Sequence, residues 1–148
     1  MKNIAIIYHD ADFDGKLSNE VCRYHLRNLH PEAAIHSYGW DYGRAVPIPL
    51  ISWFDPLLGD QFSNAWEEYD QIYIVDLSVD ELMARPELRN KIVWIDHHKT
   101  AIDKWDSNAD GSPTAFGASS FKGYRIDGVA ACRLCWQWFT NPIFTNEH

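Results

Sequence analysis

The sequence predicts one α/β domain of the Rossmann-like, three-layer type, with a mainly parallel sheet of about five strands between layers of helices. Short apolar runs alternate with stretches of helical periodicity, which is typical of strands joined by crossover helices. Some of these runs are apolar almost throughout, as expected of strands buried on both faces. A length of 148 residues suits one domain, so we assign residues 1–148 to it.

The first half of the chain supplies two of these strands. Residues 4–8 are predicted to form the first strand, and residues 15–29 a helix whose apolar side chains share one face. Pro31 ends this helix, and a second strand is predicted over residues 33–38. Residues 39–58 are rich in Gly, Trp and Pro, so we expect an irregular segment there.

The second half repeats the alternation. Residues 72–75 are a continuous apolar run and predict a buried strand. Ser78 and Glu81 form a capping-box signature that should start a short helix. The other expectations are a strand over residues 92–95, a loop over residues 108–112, a fifth strand around residues 119–126, and a helix over residues 129–139 that ends near Asn141 and Pro142.

Composition limits the classes of function. The chain is globular rather than disordered in composition, with 46% hydrophobic residues, and no apolar run approaches the roughly 20 residues of a membrane helix. The first apolar run is too short for a signal peptide, and three cysteines are too few for a disulfide framework, so we expect a cytoplasmic protein with no membrane partner. A net charge of -8 disfavours nucleic acid as a partner unless bound cations reverse the local field.

Acidic and histidine residues directly follow three predicted strands. They are His9, Asp10, Asp12 and Asp14 after the first strand, Asp76 after the third, and Asp96, His97 and His98 after the fourth. The carboxyl ends of parallel strands lie along one edge of the sheet, where such folds bind ligands. The sequence therefore predicts that these side chains converge at this edge.

Such a convergence points to bound cations. Clustered carboxylates repel one another, and a mixed Asp/His shell suits manganese, iron, zinc or cobalt better than calcium. In an extended segment Asp12 and Asp14 point to the same side and can serve neighbouring ions, whereas the adjacent His97 and His98 point apart. A calcium loop of the EF-hand type is excluded, because the glycine directly follows the third acid and no glutamate occupies the last ligand position.

Each residue also has a simpler explanation. Taken alone, Asp76 is better explained as a helix cap or turn residue, and the histidine pair as a polar strand end. Three acid-bearing strand ends together favour a metal site over these structural roles.

The same residues carry a family resemblance. The segment from Tyr8 to Gly15, the pair Val75-Asp76 and the triplet Asp96-His97-His98 resemble the first three motifs of the DHH phosphoesterase superfamily. This superfamily includes RecJ-type exonucleases, oligoribonucleases, exopolyphosphatases and family II inorganic pyrophosphatases. Residues 127–139 also resemble the helix that follows the DHH strand in compact members, so the resemblance covers nearly the whole chain.

The resemblance implies a two-metal centre, usually with manganese and alternatively with magnesium or cobalt. The ligands it implies are His9 and Asp12 for one ion, Asp14 and His97 for the other, and Asp76 as a bridge between them. Asp76 and His98 would be the catalytic residues, His98 through contact with the substrate phosphate, and Asp96 would orient the histidines. Two such ions activate a water for attack on phosphorus, so the implied function is hydrolysis of phosphoester or phosphoanhydride bonds, with small nucleotides or short oligonucleotides as substrates.

Two family features have no evident counterpart in the sequence. Members usually supply a fourth-motif aspartate beyond the helix, for which Asp127, Glu147 and His148 are the available replacements, and full-size members add a C-terminal substrate domain, which we expect to be absent. A second function therefore stays open, namely a catalytically incomplete DHH-like module that binds metal, nucleotide or a protein partner without turnover. A metal-free interaction domain is a third. Polyphosphate and pyrophosphate also remain candidate substrates.

Four further features give weaker predictions. Arg44, in an aromatic- and glycine-rich loop, and Lys99, after the histidine pair, are candidates for binding substrate phosphate, although the loop around Arg44 is more simply explained as a surface excursion. Cys132 and Cys135 have CxxC spacing but no second pair, so we expect buried helix cysteines. Two tryptophans of the last helix, at positions 136 and 138, cannot both face the core, so one marks a contact in a homo-oligomer or an exposed apolar patch.

Overall fold

The central feature of the computed structural model, which describes residues 1–108, 117–144 and 148, is a four-stranded parallel sheet. The strands are β1 (Asn3–His9), β2 (Ala34–Trp40), β3 (Ile51–Asp55), β4 (Gly59–Ser63), β5 (Gln71–Val75) and β6 (Ile92–Ile95). The helices are α1 (Phe13–Leu29), α2 (Asp80–Met83), α3 (Lys99–Asp106) and α4 (Ala131–Thr140). The parallel sheet has the order β2-β1-β5-β6, and β3 and β4 form a separate antiparallel hairpin.

Both faces of the parallel sheet are covered, as the continuous apolar runs predict. Ile4 and Ile6 of β1 face α1 and α4, and their neighbours Ala5 and Ile7 belong to the core on the opposite face. That second core includes residues of α2, and side chains of α3 pack against it. The predicted α/β class is therefore confirmed.

The strand order creates a crevice at one place on the sheet edge. β1 pairs with β2 on one side and with β5 on the other, so the two halves of the sheet extend in opposite directions from it. Open α/β sheets bind ligands outside the carboxyl ends of the strands at such a switch point. Tyr8 is opposite Val75 in the β1–β5 register, so His9 and Asp76 emerge side by side into this crevice.

The predicted fifth strand does not form. Residues 119–126 run beside β6 and contact it at two isolated bridges, Lys122 with Val93 and Arg125 with Asp96. Gly123 lies between them with a φ of 132°, outside the extended range, and a Cβ there would be 1.9 Å from the Trp94 carbonyl oxygen. The segment covers the β6 edge without continuing the sheet.

Three other local predictions need correction. Residues 39–58 are not irregular throughout, because they contain β3 and the turn that connects it to β4. The capping box at Ser78 is absent, since α2 begins at Asp80 after Val79 with no side-chain cap; the Ser78 N–H instead donates to the Tyr42 hydroxyl. Sequence reasoning missed α3.

Helix boundaries otherwise lie close to the predictions. α1 begins at Phe13, two residues early, because the Asp12 side chain caps it. α4 ends at Thr140, next to the predicted stop. Most of the loop predicted over residues 108–112 lies outside the described residues. No helix in the described part of the chain combines the length and apolar character needed to cross a bilayer.

Candidate metal centre

The first of two Asp/His groups in the crevice consists of His9, Asp12 and Asp76, whose ligand atoms lie within 4.8 Å of one another. His9 Nδ1 is 3.5 Å from Asp12 Oδ2 and 3.7 Å from Asp76 Oδ2. Asp12 Oδ1 accepts the Gly15 N–H at 2.8 Å, so capping of α1 fixes this carboxylate and leaves Oδ2 facing His9. We refer to these three residues as the first group.

The second group consists of Asp76, Asp96, His97 and His98, whose ligand atoms also lie within 4.8 Å of one another. His97 Nε2 lies 3.0 Å from Asp76 Oδ1. The two histidine rings are 4.5 Å apart at 60°, and each faces a different carboxylate. Asp76 is the member that the two groups share. The structure thus has Asp/His groups close enough to hold a metal ion.

Asp76 is unusual in burial, backbone and hydrogen bonding. Its side chain is fully buried, yet neither carboxylate oxygen accepts a hydrogen bond from the described residues. His97 is nearby but is not in hydrogen-bonding geometry. Its φ is 63°, which is uncommon for a residue other than glycine. Burial, together with the carboxylates of Asp14 and Asp12, raises the pKa of Asp76 to about 8. A buried carboxylate without donors is costly unless a cation compensates it.

Asp96 orients the histidine pair. Its Oδ1 accepts the His98 Nδ1–H at 2.7 Å and the backbone N–H groups of His97 at 2.8 Å and His98 at 3.3 Å. Because Nδ1 of His98 is engaged, Nε2 is the nitrogen left for another partner. Oδ2 of Asp96 is buried and has no hydrogen-bond partner in the part of the chain that the structure describes. These contacts agree with the orienting role expected of Asp96.

Asp41 contacts His9 and was missed as an orienting residue by sequence reasoning, which considered its loop as a surface excursion or a substrate contact. His9 Nε2 lies 2.9 Å from Asp41 Oδ1. The hydrogen bonds from His9 and from the Tyr42 N–H lower the pKa of Asp41, so its carboxylate only accepts. Nε2 of His9 therefore donates to Asp41, and Nδ1 is the nitrogen that faces Asp12 and Asp76. Nδ1 is buried and has no hydrogen bond within residues 1–108, 117–144 and 148.

Asp14 makes contacts that its spacing did not predict. Its Oδ2 accepts the Ala131 N–H and its Oδ1 the Cys132 N–H, both at 2.9 Å, so the carboxylate anchors the start of α4. Burial raises the pKa of Asp14, but the hydrogen bonds from Cys132 and Ala131 more than offset this, and the pKa is lowered overall. Asp14 is in the first turn of α1, with Asp12 as its N-cap, so the predicted extended backbone is wrong. It still lies 3.5 Å from His97 Nε2.

The two predicted phosphate-binding cations are placed differently. Arg44 Nη1 pairs with Asp10 Oδ2 at 2.8 Å, in the loop that also brings Asp41 to His9. Lys99 pairs with Asp103, four residues further along α3. Arg44 therefore borders the first group, whereas Lys99 is occupied on the exposed side of its own helix.

The residues of α4 agree with their sequence interpretation except at Cys132, which is only partly buried instead of buried. Cys135 is buried, and this burial raises its pKa, as expected of a packed helix cysteine rather than a reactive one. Trp138 is buried and Trp136 is half exposed, so only one tryptophan faces the core.

Comparison with known proteins adds no relative. No family model, curated protein or solved structure matches this chain. The resemblance to DHH phosphoesterases therefore rests on the sequence motifs alone.

Proposed function

We propose that this chain is a DHH-type phosphohydrolase that binds two divalent ions, preferentially manganese, and hydrolyses phosphoester or phosphoanhydride bonds in small nucleotides or short oligonucleotides. The observation that carries the proposal is the position of Asp76. This buried carboxylate has no hydrogen-bond donor among the described residues and belongs to both Asp/His groups, which suits a bridging ligand between two cations.

The donor atoms fit this assignment. His9 Nδ1, Asp12 Oδ2 and Asp76 Oδ2 would hold one ion, and Asp76 Oδ1 with His97 Nε2 would begin the shell of the other. Nitrogen and carboxylate oxygen are the ligands that manganese, cobalt and zinc share. Three of these atoms, His9 Nδ1 and the two carboxylate oxygens of Asp76, are buried without a hydrogen bond from the described residues. A bound cation would offset the cost of burying them.

Divalent ions at these positions would lower the pKa of a water and neutralise charge on the phosphoryl oxygens. His98, held through Nδ1 by Asp96, has Nε2 available to contact a phosphoryl oxygen. Arg44 supplies a half-exposed positive charge beside the first group. The three cysteines are free, which suits a reducing compartment such as the cytoplasm.

Calorimetry with manganese on protein stripped of metal tests the proposal. We expect two sites per chain, together with manganese-dependent cleavage of a dinucleotide or a nucleoside diphosphate. Fewer than two sites, or two sites with no turnover of any phosphorylated probe, would count against a two-metal hydrolase.

The contacts of Asp14 favour a second candidate, a DHH-like module that binds without turnover. Both oxygens of this predicted ligand already hold the start of α4, and Asp14 is in neither group. The second ion would then be weakly held. Such a module would retain a dinucleotide intact through prolonged incubation with manganese, whereas the hydrolase would release its products.

We expect Asp41→Ala to weaken manganese binding about 10- to 100-fold, because His9 loses the acceptor that fixes its proton on Nε2. Asp41→Asn keeps an oxygen acceptor and should retain most of the affinity. Calorimetry on both variants measures the difference, and the visible spectrum of the cobalt-loaded protein reports the geometry at His9. Equal affinity in wild type and Asp41→Ala would show that Asp41 does not orient the ligand.

A further inference from the structure

The hairpin β3–β4 and its flanks expose an unusual amount of apolar surface. We call residues 48–62 the hairpin arm. Six of its large apolar side chains are between 65% and 93% exposed, namely Ile48, Leu50, Phe54, Leu57, Leu58 and Phe62. Isolated exposed hydrophobic residues are ordinary, but six within one hairpin and its flank mark an interaction surface.

The strand register gathers the two phenylalanines on one face. Phe54 is opposite Asp60 and Phe62 is opposite Ser52, so Phe54 and Phe62 are diagonal neighbours on the same side of the hairpin. Met1 lies beside them, and these side chains line a shallow concavity. The arm therefore has an exposed aromatic pair that lines a shallow depression.

The strand edges of the arm are also open. Among the described residues, β3 and β4 pair only with each other. Neither strand contains a lysine or a proline, the residues that commonly protect an exposed edge from pairing with another strand. The arm can therefore accept a further strand through backbone hydrogen bonds.

The exposed apolar area favours a second copy as the occupant, and the charge of the arm excludes anionic partners. At roughly 150–200 Å² for each fully exposed side chain, the six apolar residues present about 800 Å², which is the share of one partner in a standard interface. The arm contains two aspartates and no lysine or arginine, in a chain of net charge -8, so anionic lipid and nucleic acid are poor partners. A copy of the same arm offers a matching apolar face and a matching open edge.

We propose that the hairpin arms of two copies pair across a two-fold axis and make this chain a homodimer. A two-fold interface uses the same patch on both subunits, so Phe54 and Phe62 of one copy meet the corresponding face of the other. The pairing is independent of the proposed catalysis, since the arm is separate from the Asp/His groups in the described structure.

Sedimentation velocity and light scattering across micromolar concentrations test the dimer. We expect a dimer for the wild type, and at least a tenfold larger dissociation constant for Phe54→Asp and for Phe62→Asp separately. Both side chains are exposed, so the melting temperature of the monomeric form and its manganese binding should be unchanged. The matched control is Trp136→Ser, which alters the half-exposed aromatic side chain of α4 and should leave the dimer intact.

Three results would overturn the proposal. They are a wild type that is monomeric throughout this range, a dimer that survives both phenylalanine variants but dissociates in Trp136→Ser, and a polydisperse aggregate instead of a closed dimer. Because the readout is mass, a dimer without metal binding would contradict the proposed function only, and metal binding by a monomer would contradict the dimer only.

Discussion

Asp76→Asn is expected to weaken manganese binding at least about 100-fold and to lower phosphoester hydrolysis by about 10³-fold or more, while the protein stays folded. Asparagine has nearly the same size and tolerates the φ of 63° at this position. It cannot supply two negatively charged oxygens to two cations. Calorimetry on protein stripped of metal and turnover of a dinucleotide measure the two effects.

The control for this substitution is Asp60→Asn, which removes one carboxylate from the exposed hairpin and should leave both measurements unchanged. Manganese affinity equal to that of the wild type in Asp76→Asn would mean that the buried carboxylate is not a ligand. The proposed function would then lose its main support.

Without metal, Asp76→Asn is expected to be more stable than the wild type, although it binds manganese more weakly. Because burial and the neighbouring Asp14 and Asp12 raise the pKa of Asp76 to about 8 from 3.8, the folded state keeps a proton that the unfolded state has lost between these values. The contribution of this group to stability therefore falls as the pH rises through that window. In chelator, Asp76→Asn should melt higher than the wild type at pH 8, by a margin that shrinks towards pH 5. Manganese should reverse the order, since it stabilises only a protein that binds it.

Most of the centre could be predicted because its residues directly follow apolar strands. Asp76 comes directly after β5 and Asp96 directly after β6, and parallel pairing of adjacent strands brings such positions together whatever the loops do. The same rule applies to Asp41, which comes directly after β2. It was missed because the predicted strand stopped at residue 38, which left Asp41 within a segment expected to be irregular.

Asp14 could not be placed by sequence spacing. An extended segment is a reasonable expectation for alternating aspartates, but Asp12 satisfies a free N–H of the first turn and so starts the helix there. The partners of Asp14, Ala131 and Cys132, are more than a hundred residues away along the chain. No local pattern reports a contact that depends on how α1 and α4 pack.

The hairpin was obscured for a different reason. Proline residues at 47, 49 and 56 flank β3 or follow it, and the exposed Phe54 and Phe62 do not follow the rule that apolar side chains face the core. Sequence patterns predict strands through their burial. A strand whose apolar face points away from its own core gives no such signal, which is consistent with a face that is buried only when a second copy binds.

Gly15→Ala is expected to destabilise the fold by about 1–3 kcal/mol and to weaken manganese binding at the same time. A Cβ at this position would lie 1.8 Å from the carbonyl oxygen of His9, so α1 or the end of β1 must move. Alanine favours a helix over glycine by about 1 kcal/mol, which opposes the steric effect. A net loss of stability would show that the steric contact outweighs the gain in helix propensity. Denaturant unfolding measures the stability, and calorimetry measures the metal affinity.

The adjacent Lys16→Ala is the control for Gly15→Ala, because Lys16 is exposed in the same turn of α1 and its replacement should change neither quantity. The new methyl group would push Gly15 away from the His9 carbonyl. Gly15 is hydrogen-bonded to Asp12, and His9 Nδ1 is 3.5 Å from Asp12 Oδ2. A shift of a few tenths of an ångström therefore changes the first group directly. A Gly15→Ala protein as stable as the wild type would show that α1 packs less closely on β1 than described. Reduced stability with unchanged manganese affinity would instead show that His9 and Asp12 do not hold the ion, because the displacement that lowers the stability occurs between them.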